Sequence, residues 1–273
     1  MALTALQRDV CLALAAQRRR SGESYVAGGG ALNEFVAGAR RSRDVDLFHD
    51  TAAALVATWA ADRAALGAGG FTVELIRELP AFVEARVRRG GEAVLVQWAQ
   101  DSAFRFFPLV EHEVFGLTLH PFDLATNKLL AVLGRREARD WIDLLQCHDK
   151  IQPLGYLAWA AAGKDPGFTP VAIVEGCART RYVQAEIDGL DFDGPQPQAA
   201  ELSVRWHRAV AEARQVVEAL PAEQGGWCVV DRLGHLARCT PPVLPGELAA
   251  GRIGFRQGSI RGAFPELRIH QPG

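Results

Sequence analysis

The sequence lacks several features that would assign it to a well-defined class. No apolar run reaches the length needed to cross a membrane, and the N-terminus has neither the charged nor the apolar segment of an export signal. The five cysteines are odd in number and have no C-x-x-C spacing, which predicts reduced thiols rather than a disulfide framework or a zinc site. We therefore expect a cytoplasmic protein without a membrane partner.

The chain also has no large excess of positive or negative charge. The net charge of −2 excludes a broad basic field, so contacts with nucleic acid must come from local patches. The sequence shows no internal repeat and no low-complexity segment. With 273 residues, 49% of them hydrophobic, the chain is long enough for one large or two modest globular domains.

The first 120 residues have the pattern of a mixed sheet with helices over it. The alternation and turn residues predict helices at 3–19, 31–37 and 51–66, with Asp50 or Thr51 as the N-cap of the last. A half-buried strand is predicted at 71–77, and two further strands, 82–88 and 92–98, flank Arg89-Gly90-Gly91 as an antiparallel hairpin. Short strands at 25–27 and 44–48 complete this region.

After Pro121 the pattern becomes mainly helical. Helices are predicted at 123–133 and 136–146, broken by Gly134, and then from 153 to 181. A linker at 194–197 precedes a strongly amphipathic helix at 199–220. We expect an α/β (α+β mixed) protein with a sheet-containing core at 1–120, a helical region at 121–222 and an irregular tail with short strands at 223–273.

The most informative motif is R-x-S-x-D-x-D, formed by Arg40, Ser42, Asp44 and Asp46. Two carboxylates separated by one residue point to the same side of an extended chain and can hold a hard divalent cation. The run Gly28-Gly29-Gly30 lies upstream, where backbone N–H groups could approach a phosphate. The alternative is an exposed strand end beside an ordinary glycine loop, but the order and spacing together favour phosphoryl or nucleotidyl transfer.

A second group of charged residues lies on the predicted helices after Pro121. Lys128 interrupts an apolar stripe, so it either provides a positive charge for a triphosphate or points into water. Asp140 and Asp143 share a helix face, with Arg136 one turn before Asp140. The simpler interpretation of these aspartates is a buried polar network with Arg139, and the other is a direct chemical role.

These motifs resemble those of the AbiEii/AbiGii nucleotidyltransferase toxin family, within the DNA polymerase beta-like nucleotidyltransferase superfamily. The resemblance covers residues 25–145 and rests on G-G-x-A-L, R-x-S-x-D-x-D-L-F, K-L-x-A and R-D-x-x-D-L. It implies a nucleotidyltransferase-like mixed sheet with flanking helices. By this resemblance Asp44 and Asp46 bind Mg²⁺ or Mn²⁺, and the motif lysine is Lys128. The family's glycine pair falls on Gly28 and Gly29, and its last acidic motif on Asp140 and Asp143.

Two positions depart from the family pattern. Gly30 lacks the hydroxyl of the Thr or Ser that often stands there, and Gln97 occupies the inward position where the superfamily usually has a third carboxylate. A neutral amide is a poorer Mg²⁺ ligand than a carboxylate. Asp101, Asp140 or Asp143 could supply the missing acid, and the sequence does not choose among them.

The resemblance implies transfer of a nucleotide from a nucleoside triphosphate to a hydroxyl acceptor, which in family members can be tRNA. It also implies a toxin with a cognate antitoxin, or a phage-defence role. The alternatives are a catalytically impaired module that binds a nucleotide, RNA or a protein, and a nucleotidyltransferase acting on a small molecule. We expect Asp44 and Asp46 at the end of a central strand, facing a cleft whose opposite wall is the helix carrying Lys128.

Overall fold

The computed structural model describes residues 3–262 of the chain. Residues 263–273, the last part of the predicted tail, lie outside the described residues. The helices are α1 (Ala5–Ser21), α2 (Gly28–Phe35), α3 (Ala52–Ala68), α4 (Pro121–Arg135), α5 (Ala138–Lys150), α6 (Leu154–Ala161), α7 (Pro170–Ala178), α8 (Gln184–Asp188), α9 (Ala199–Ala219) and α10 (Leu244–Ala249). The strands are β1 (Ser24–Ala27), β2 (Asp44–His49), β3 (Thr72–Leu79), β4 (Phe82–Arg89), β5 (Glu92–Gln100), β6 (Phe104–Arg105), β7 (Val110–His112), β8 (Gly116–Thr118), β9 (Cys228–Asp231), β10 (Ile253–Arg256) and β11 (Ser259–Ile260).

The chain divides into two compact units. The first contains residues 1–103 and 109–124, together with a later segment at 185–196. Of the described residues, the second contains 104–108, 125–184 and those from 197 onward. The division falls within α4, so Asp44 and Asp46 belong to the first unit and Lys128 to the second.

The first unit is built on a seven-stranded mixed sheet of order β3-β4-β5-β2-β1-β8-β7. β2 is the central strand, and it runs parallel to β5 on one side and antiparallel to β1 on the other. β4 and β5 form the predicted hairpin around Gly90-Gly91. This arrangement confirms the predicted mixed sheet with flanking helices.

One face of β2, β5 and β4 is apolar because every second residue of these strands is a hydrophobic residue. The helices α1 and α3 pack against this sheet, and the ring of Trp59 on α3 meets that of Trp98 on β5 at 4.7 Å between centroids. The buried residues of this face are Val45, Leu47, Val83, Ala85, Val87, Val94, Val96 and Trp98. Their burial supplies the hydrophobic core of the first unit.

Both covering helices begin or end where local sequence signals predict. Thr51 is the N-cap of α3, and its side chain accepts from the N–H of Ala54. α1 ends at Gly22, which adopts the left-handed conformation with φ 66°. In contrast, β3 is an edge strand whose residues are mostly exposed. The predicted strand at 71–77 is therefore present, but the prediction that it is half-buried is wrong.

The second unit is mainly helical, as predicted for the C-terminal region. α9 packs against α6 and α7, and Gly155 lets α6 approach α9 closely because a Cβ there would lie 2.6 Å from the Cβ of Val216. Two small antiparallel sheets, β9 with β10 and β6 with β11, complete this unit. None of the helices in residues 3–262 combines the length and the apolar composition needed to span a bilayer.

The break between the helices that follow Pro121 differs from the prediction. Gly134 lies inside α4, and the chain turns instead at Arg136, where φ is 51°. Glycine within a helix costs only about 1 kcal/mol relative to alanine, so packing of the surrounding turns can retain it. The predicted break at Gly134 is therefore wrong by two residues.

Candidate active site

Asp44 and Asp46 lie on the same face of the central strand. Burial alternates along β2, with Val45 and Leu47 buried and the two aspartates half-buried. The spacing of two residues separates their Cα atoms by about 7 Å in an extended chain. The predicted placement of both acids on one side of a central strand is confirmed, and their role as metal ligands stays a prediction.

The carboxylate of Asp46 packs against Gly28. Asp46 is the neighbour of Ala27 in the β1–β2 pairing, so the following glycine lies beside its side chain. A Cβ at Gly28 would overlap Oδ2 of Asp46 and would lie 2.9 Å from its Cγ. Gly28 also has φ 71°, a conformation that other L-residues rarely adopt. Both the backbone conformation and the contact therefore require glycine here.

The glycine run forms the first turn of α2 rather than a separate loop. The helix begins at Gly28 and ends at Phe35, so the predicted start at 31 is three residues late. The N-cap is Ala27, whose methyl group cannot cap the helix, and the first-turn N–H groups have no intrahelical partners. Such a helix N-terminus is a favourable place for an anion.

Ser42 and Gly30 connect this first turn to β2. The hydroxyl of Ser42 donates to the carbonyl of Asp44 at 3.2 Å, and Nε2 of Gln7 donates to the carbonyl of Ser42 at 2.9 Å. A Cβ at Gly30 would lie 3.6 Å from that of Ser42 and 3.8 Å from the carbonyl oxygen of Asp44. The structure thus brings the glycine run and the D-x-D segment together, as the motif order predicts.

Arg40 is buried, with 5% of its surface exposed, and its Nη1 donates to the carbonyl of Arg41 at 2.9 Å. The backbone of Arg40 pairs with Phe192 in an isolated β-bridge. Arg41 and Arg43 are also held by the later segment, since the Arg41 N–H donates to the Asp191 carbonyl and Arg43 donates to the Gly189 carbonyl at 2.8 Å. The loop before β2 is therefore supported by residues 189–193.

Gln97 is the neighbour of Asp46 on the parallel strand β5. Its other neighbour is Glu84 on β4, and Nε2 of Gln97 donates to Oε1 of Glu84 at 2.8 Å. All three residues are half-buried and lie on the same face of the sheet. The sequence analysis missed Glu84, although counting back from the Gly90-Gly91 turn pairs it with Gln97.

Asp101 lies at the opposite end of β2 from Asp44. Its N–H donates to the carbonyl of His49, three residues beyond Asp46, which is about 10 Å along a strand. Its Oδ1 accepts from the N–H of Ser102 at 2.7 Å. The structure therefore does not bring Asp101 beside the aspartate pair.

Oxygen donors make the Asp44 and Asp46 segment suitable for a hard cation such as Mg²⁺ or Mn²⁺. The packing of Gly28 against the Asp46 carboxylate keeps side-chain atoms out of this position. Within residues 3–262, no group of three or more His, Cys, Asp or Glu residues is arranged to hold a metal ion. A cation here would rely on the two aspartates together with uncharged ligands or substrate oxygens.

Lys128 forms a buried ionic cluster in the second unit. Its Nζ lies 2.7 Å from Oδ1 of Asp140 and 3.1 Å from Oδ2 of Asp143, and both aspartates are fully buried. Arg135 contacts Asp140 at 2.6 Å, so Arg135, not the predicted Arg136, pairs with this acid. The alternative in which Lys128 points into water is wrong, since only 6% of its side chain is exposed.

The surroundings of Asp140 favour its ionised form. Burial raises the pKa of Asp140, but the hydrogen bond from Arg135 and the charge of Lys128 outweigh that effect and lower it overall. The interpretation of Asp140 and Asp143 as members of a buried polar network is confirmed. Arg139 forms a separate ion pair with Glu137. The role of Lys128 toward a triphosphate, and its position opposite Asp44, stay predictions.

Two bacterial proteins of solved structure match this chain. MenT4, a nucleotidyltransferase toxin from Mycobacterium tuberculosis, matches with a TM-score of 0.52 and 18% sequence identity, over 80% of this chain and 84% of that chain. JHP933 from Helicobacter pylori matches with a TM-score of 0.49 and 13% identity, over 79% of this chain and 95% of that chain. No protein-family model matches the sequence, and the comparison with curated proteins found no match. The chain therefore shares the fold of MenT4, in agreement with the nucleotidyltransferase-like fold that the resemblance of its motifs implies.

Proposed function

We propose that this protein is a nucleotidyltransferase that uses Mg²⁺ or Mn²⁺ to move a nucleotide from a nucleoside triphosphate to a hydroxyl acceptor. One observation carries the proposal: Asp44 and Asp46 share a half-buried face of the central strand, with the Asp46 carboxylate against the first turn of α2. In this arrangement the phosphates of a bound nucleoside triphosphate can contact both the cation held by the two acids and the N-terminus of α2. The fold shared with MenT4 supports the same activity.

Each group has a defined role in this reaction. Asp44 and Asp46 hold the cation, which when bound neutralises phosphate charge. The N–H groups of Gly28, Gly29 and Gly30 bind phosphate oxygens at the helix N-terminus. Arg40 and Ser42, which precede the two aspartates in the motif, help to bind the nucleotide. Lys128 supplies positive charge toward the triphosphate in this proposal.

The chemical step is a displacement at the α-phosphorus. The acceptor hydroxyl oxygen forms a bond to this phosphorus, and the bond from the α-phosphorus to the bridging oxygen of the β-phosphate breaks. Pyrophosphate leaves with that oxygen. The acceptor proton passes to an aspartate carboxylate, and the nucleotide ends as a phosphodiester on the acceptor.

The acceptor we propose is tRNA, with the protein acting as a toxin whose activity is restrained by a cognate antitoxin. The description of MenT4 as a nucleotidyltransferase toxin supports the toxin role. Exposed arginines that follow one another in the chain, such as Arg19 and Arg20 at the end of α1, provide local positive charge for an RNA in a chain whose net charge is −2. A regulator encoded beside this gene would support the antitoxin.

The test is incubation of the full chain with each of the four α-labelled nucleoside triphosphates, Mg²⁺ and bulk tRNA. We expect label to enter RNA with at least one nucleotide, and to be lost in Asp44→Asn. The matched control is Asp9→Asn, which makes the same chemical change on the surface of α1. Asp9 pairs there with Arg89. No transfer from any nucleotide with Mg²⁺ or Mn²⁺, or equal transfer by Asp44→Asn, would overturn the proposal.

A second candidate is a binding module that has the fold and lacks turnover. The neutral Gln97 beside Asp46 favours it, because a third carboxylate would normally strengthen the cation site. Calorimetry with each nucleotide, run beside the transfer assay, separates the two functions. Binding without transfer to tRNA or to a small-molecule hydroxyl supports the binding module.

A further inference from the structure

Three side chains form a row across neighbouring strands on the half-buried face of the sheet. Asp46 on β2 is paired with Gln97 on β5, and Gln97 is paired with Glu84 on β4. Gln97 thus lies between two carboxylates. The row places an amide where the superfamily usually has a third carboxylate, as the sequence analysis noted.

The contact with Glu84 determines which way the Gln97 amide is turned. An ionised carboxylate can only accept hydrogen bonds, so the group 2.8 Å from Oε1 of Glu84 must be the NH₂ of Gln97. The amide oxygen, Oε1, then points away from Glu84. Without such a partner, an amide can turn over and exchange the places of its nitrogen and oxygen.

From this geometry we infer that Gln97 supplies a neutral oxygen to the cation held by Asp44 and Asp46, and that Glu84 is the positioning residue that keeps this oxygen available. The inference rests on the proposed function. Amide oxygens are accepted as ligands by hard cations, although they contribute no charge. A partner that orients a ligand in this way commonly affects metal affinity. Gln97 thereby replaces the third carboxylate without adding to the repulsion between the two aspartates.

The first test measures Mn²⁺ binding to the full chain by electron paramagnetic resonance, which detects the free ion. Glu84→Gln allows either orientation of the Gln97 amide. We expect Mn²⁺ binding to be about tenfold weaker, which is the smallest effect usually seen when a residue that orients a metal ligand is removed. Gln97→Met removes the oxygen at similar volume and should weaken binding at least as much. In the transfer assay, both variants should raise the Mg²⁺ concentration for half-maximal rate more than they lower the rate at saturating Mg²⁺.

Each variant has a matched control on the same sheet. Gln100→Met makes the same change at the exposed end of β5, and Glu78→Gln makes the same change on the exposed edge strand β3. Both controls should bind Mn²⁺ as the wild type does. Thermal unfolding of all four variants shows whether any loss of binding reflects loss of folding.

The second test adds charge at the same position. In Gln97→Glu, a third carboxylate should tighten Mn²⁺ binding and lower the Tm in the absence of the cation, because three acids then repel one another. The rise in Tm on adding Mn²⁺ should exceed that of the wild type. If Gln97 only ties β5 to β4, this substitution would lower the Tm by the same amount with and without Mn²⁺, and the inference would be overturned.

Failure of this inference is distinguishable from failure of the proposed function. If Asp46→Asn abolishes Mn²⁺ binding while Gln97→Met and Glu84→Gln behave like their controls, Gln97 is not a ligand and the proposed function stands. If the wild type neither binds Mn²⁺ nor transfers a nucleotide, both are overturned. Weakened binding in Gln97→Met with unchanged binding in Glu84→Gln would overturn the positioning role of Glu84.

Discussion

The two faces of β2, β5 and β4 differ in what they contribute. One face is almost entirely apolar, with His49 as its polar member, and is buried beneath α1 and α3, whereas the other carries Asp44, Asp46, Gln97 and Glu84 in half-buried positions. Because side chains alternate along each strand, a single stretch of backbone supports both faces. Stability and the candidate chemistry therefore come from neighbouring residues, and substitutions should affect the two properties separately.

The largest expected effect is on activity, from the half-buried face. Asp44→Asn and Asp46→Asn each remove a charge from the proposed cation site, and we expect nucleotide transfer to fall at least about 1000-fold, equivalent to about 4 kcal/mol. The Tm without cation should be unchanged or higher, because repulsion between the two acids is relieved. Rates measured beside Asp9→Asn and thermal unfolding check this prediction. A comparable loss of Tm would show that the acids stabilise the fold instead.

The next largest expected effect is on the stability of the fold, from the buried Asp62 that contacts the apolar face of the sheet. Asp62 is fully buried between Arg18 at 2.7 Å and Nε1 of Trp98 at 2.8 Å. Asp62→Ala leaves the Arg18 charge buried without this partner, and we expect a loss of about 3–5 kcal/mol in the free energy of unfolding. Urea denaturation measures it. The double variant Arg18→Met with Asp62→Leu should recover much of the loss, while transfer activity per folded molecule stays constant.

A smaller effect depends on pH. Burial is the main reason that the pKa of His49 falls from 6.5 to about 4, and the nearby charge of Arg18 contributes to the shift. The folded state therefore holds neutral His49, and stability is retained above pH 6.5. As the pH falls from 6.5 to 5, the unfolded chain takes up the proton first, which costs about 2 kcal/mol.

The check on His49 is the urea midpoint of the wild type and of His49→Asn at pH 7 and pH 5. Asparagine retains a donor for the carbonyl of Ala99, which lies 3.2 Å from Nδ1 of His49, and has no charge to gain. The wild type should lose more stability than the variant on acidification. Equal losses would assign the acid sensitivity to other groups.

The smallest expected effect is a difference in Mn²⁺ binding between alanine substitutions at two glycines with the same backbone conformation. Gly22 and Gly28 have φ values of 66° and 71°, so an alanine at either position costs about 1–2 kcal/mol in backbone strain. A Cβ at Gly22 meets nothing within 4 Å, whereas one at Gly28 overlaps the Asp46 carboxylate. Gly28→Ala should therefore weaken Mn²⁺ binding and transfer, and Gly22→Ala should not. Equal Mn²⁺ affinities would show that the contact with Asp46 is unimportant for the site.

Features with a strong local signal were predictable from the sequence. The D-x-D spacing predicts two acids on one face of a strand, and the structure places them there because β2 alternates regularly. The Gly90-Gly91 turn fixes the hairpin, and Gly22 ends α1. In each case the deciding interaction lies within a few residues.

The remaining features depend on long-range contacts. The support of the R-x-S-x-D-x-D loop by residues 189–193 involves segments about 150 residues apart, and the later segment has no motif of its own. The partners of Lys128 come from the following helix, whose orientation is set by the turn at Arg136 rather than at Gly134. Helix α2 begins at Gly28 because tertiary packing outweighs the low helix propensity of glycine.

The most direct test of the central claim is a crystal structure of the full chain with Mn²⁺ and a nucleoside triphosphate whose bond between the α- and β-phosphates cannot be cleaved. The account predicts an anomalous peak for Mn²⁺ bonded to both Asp44 and Asp46, with phosphate oxygens at the N–H groups of Gly28 to Gly30. A bound triphosphate elsewhere on the chain, with no Mn²⁺ at the two aspartates, would contradict it.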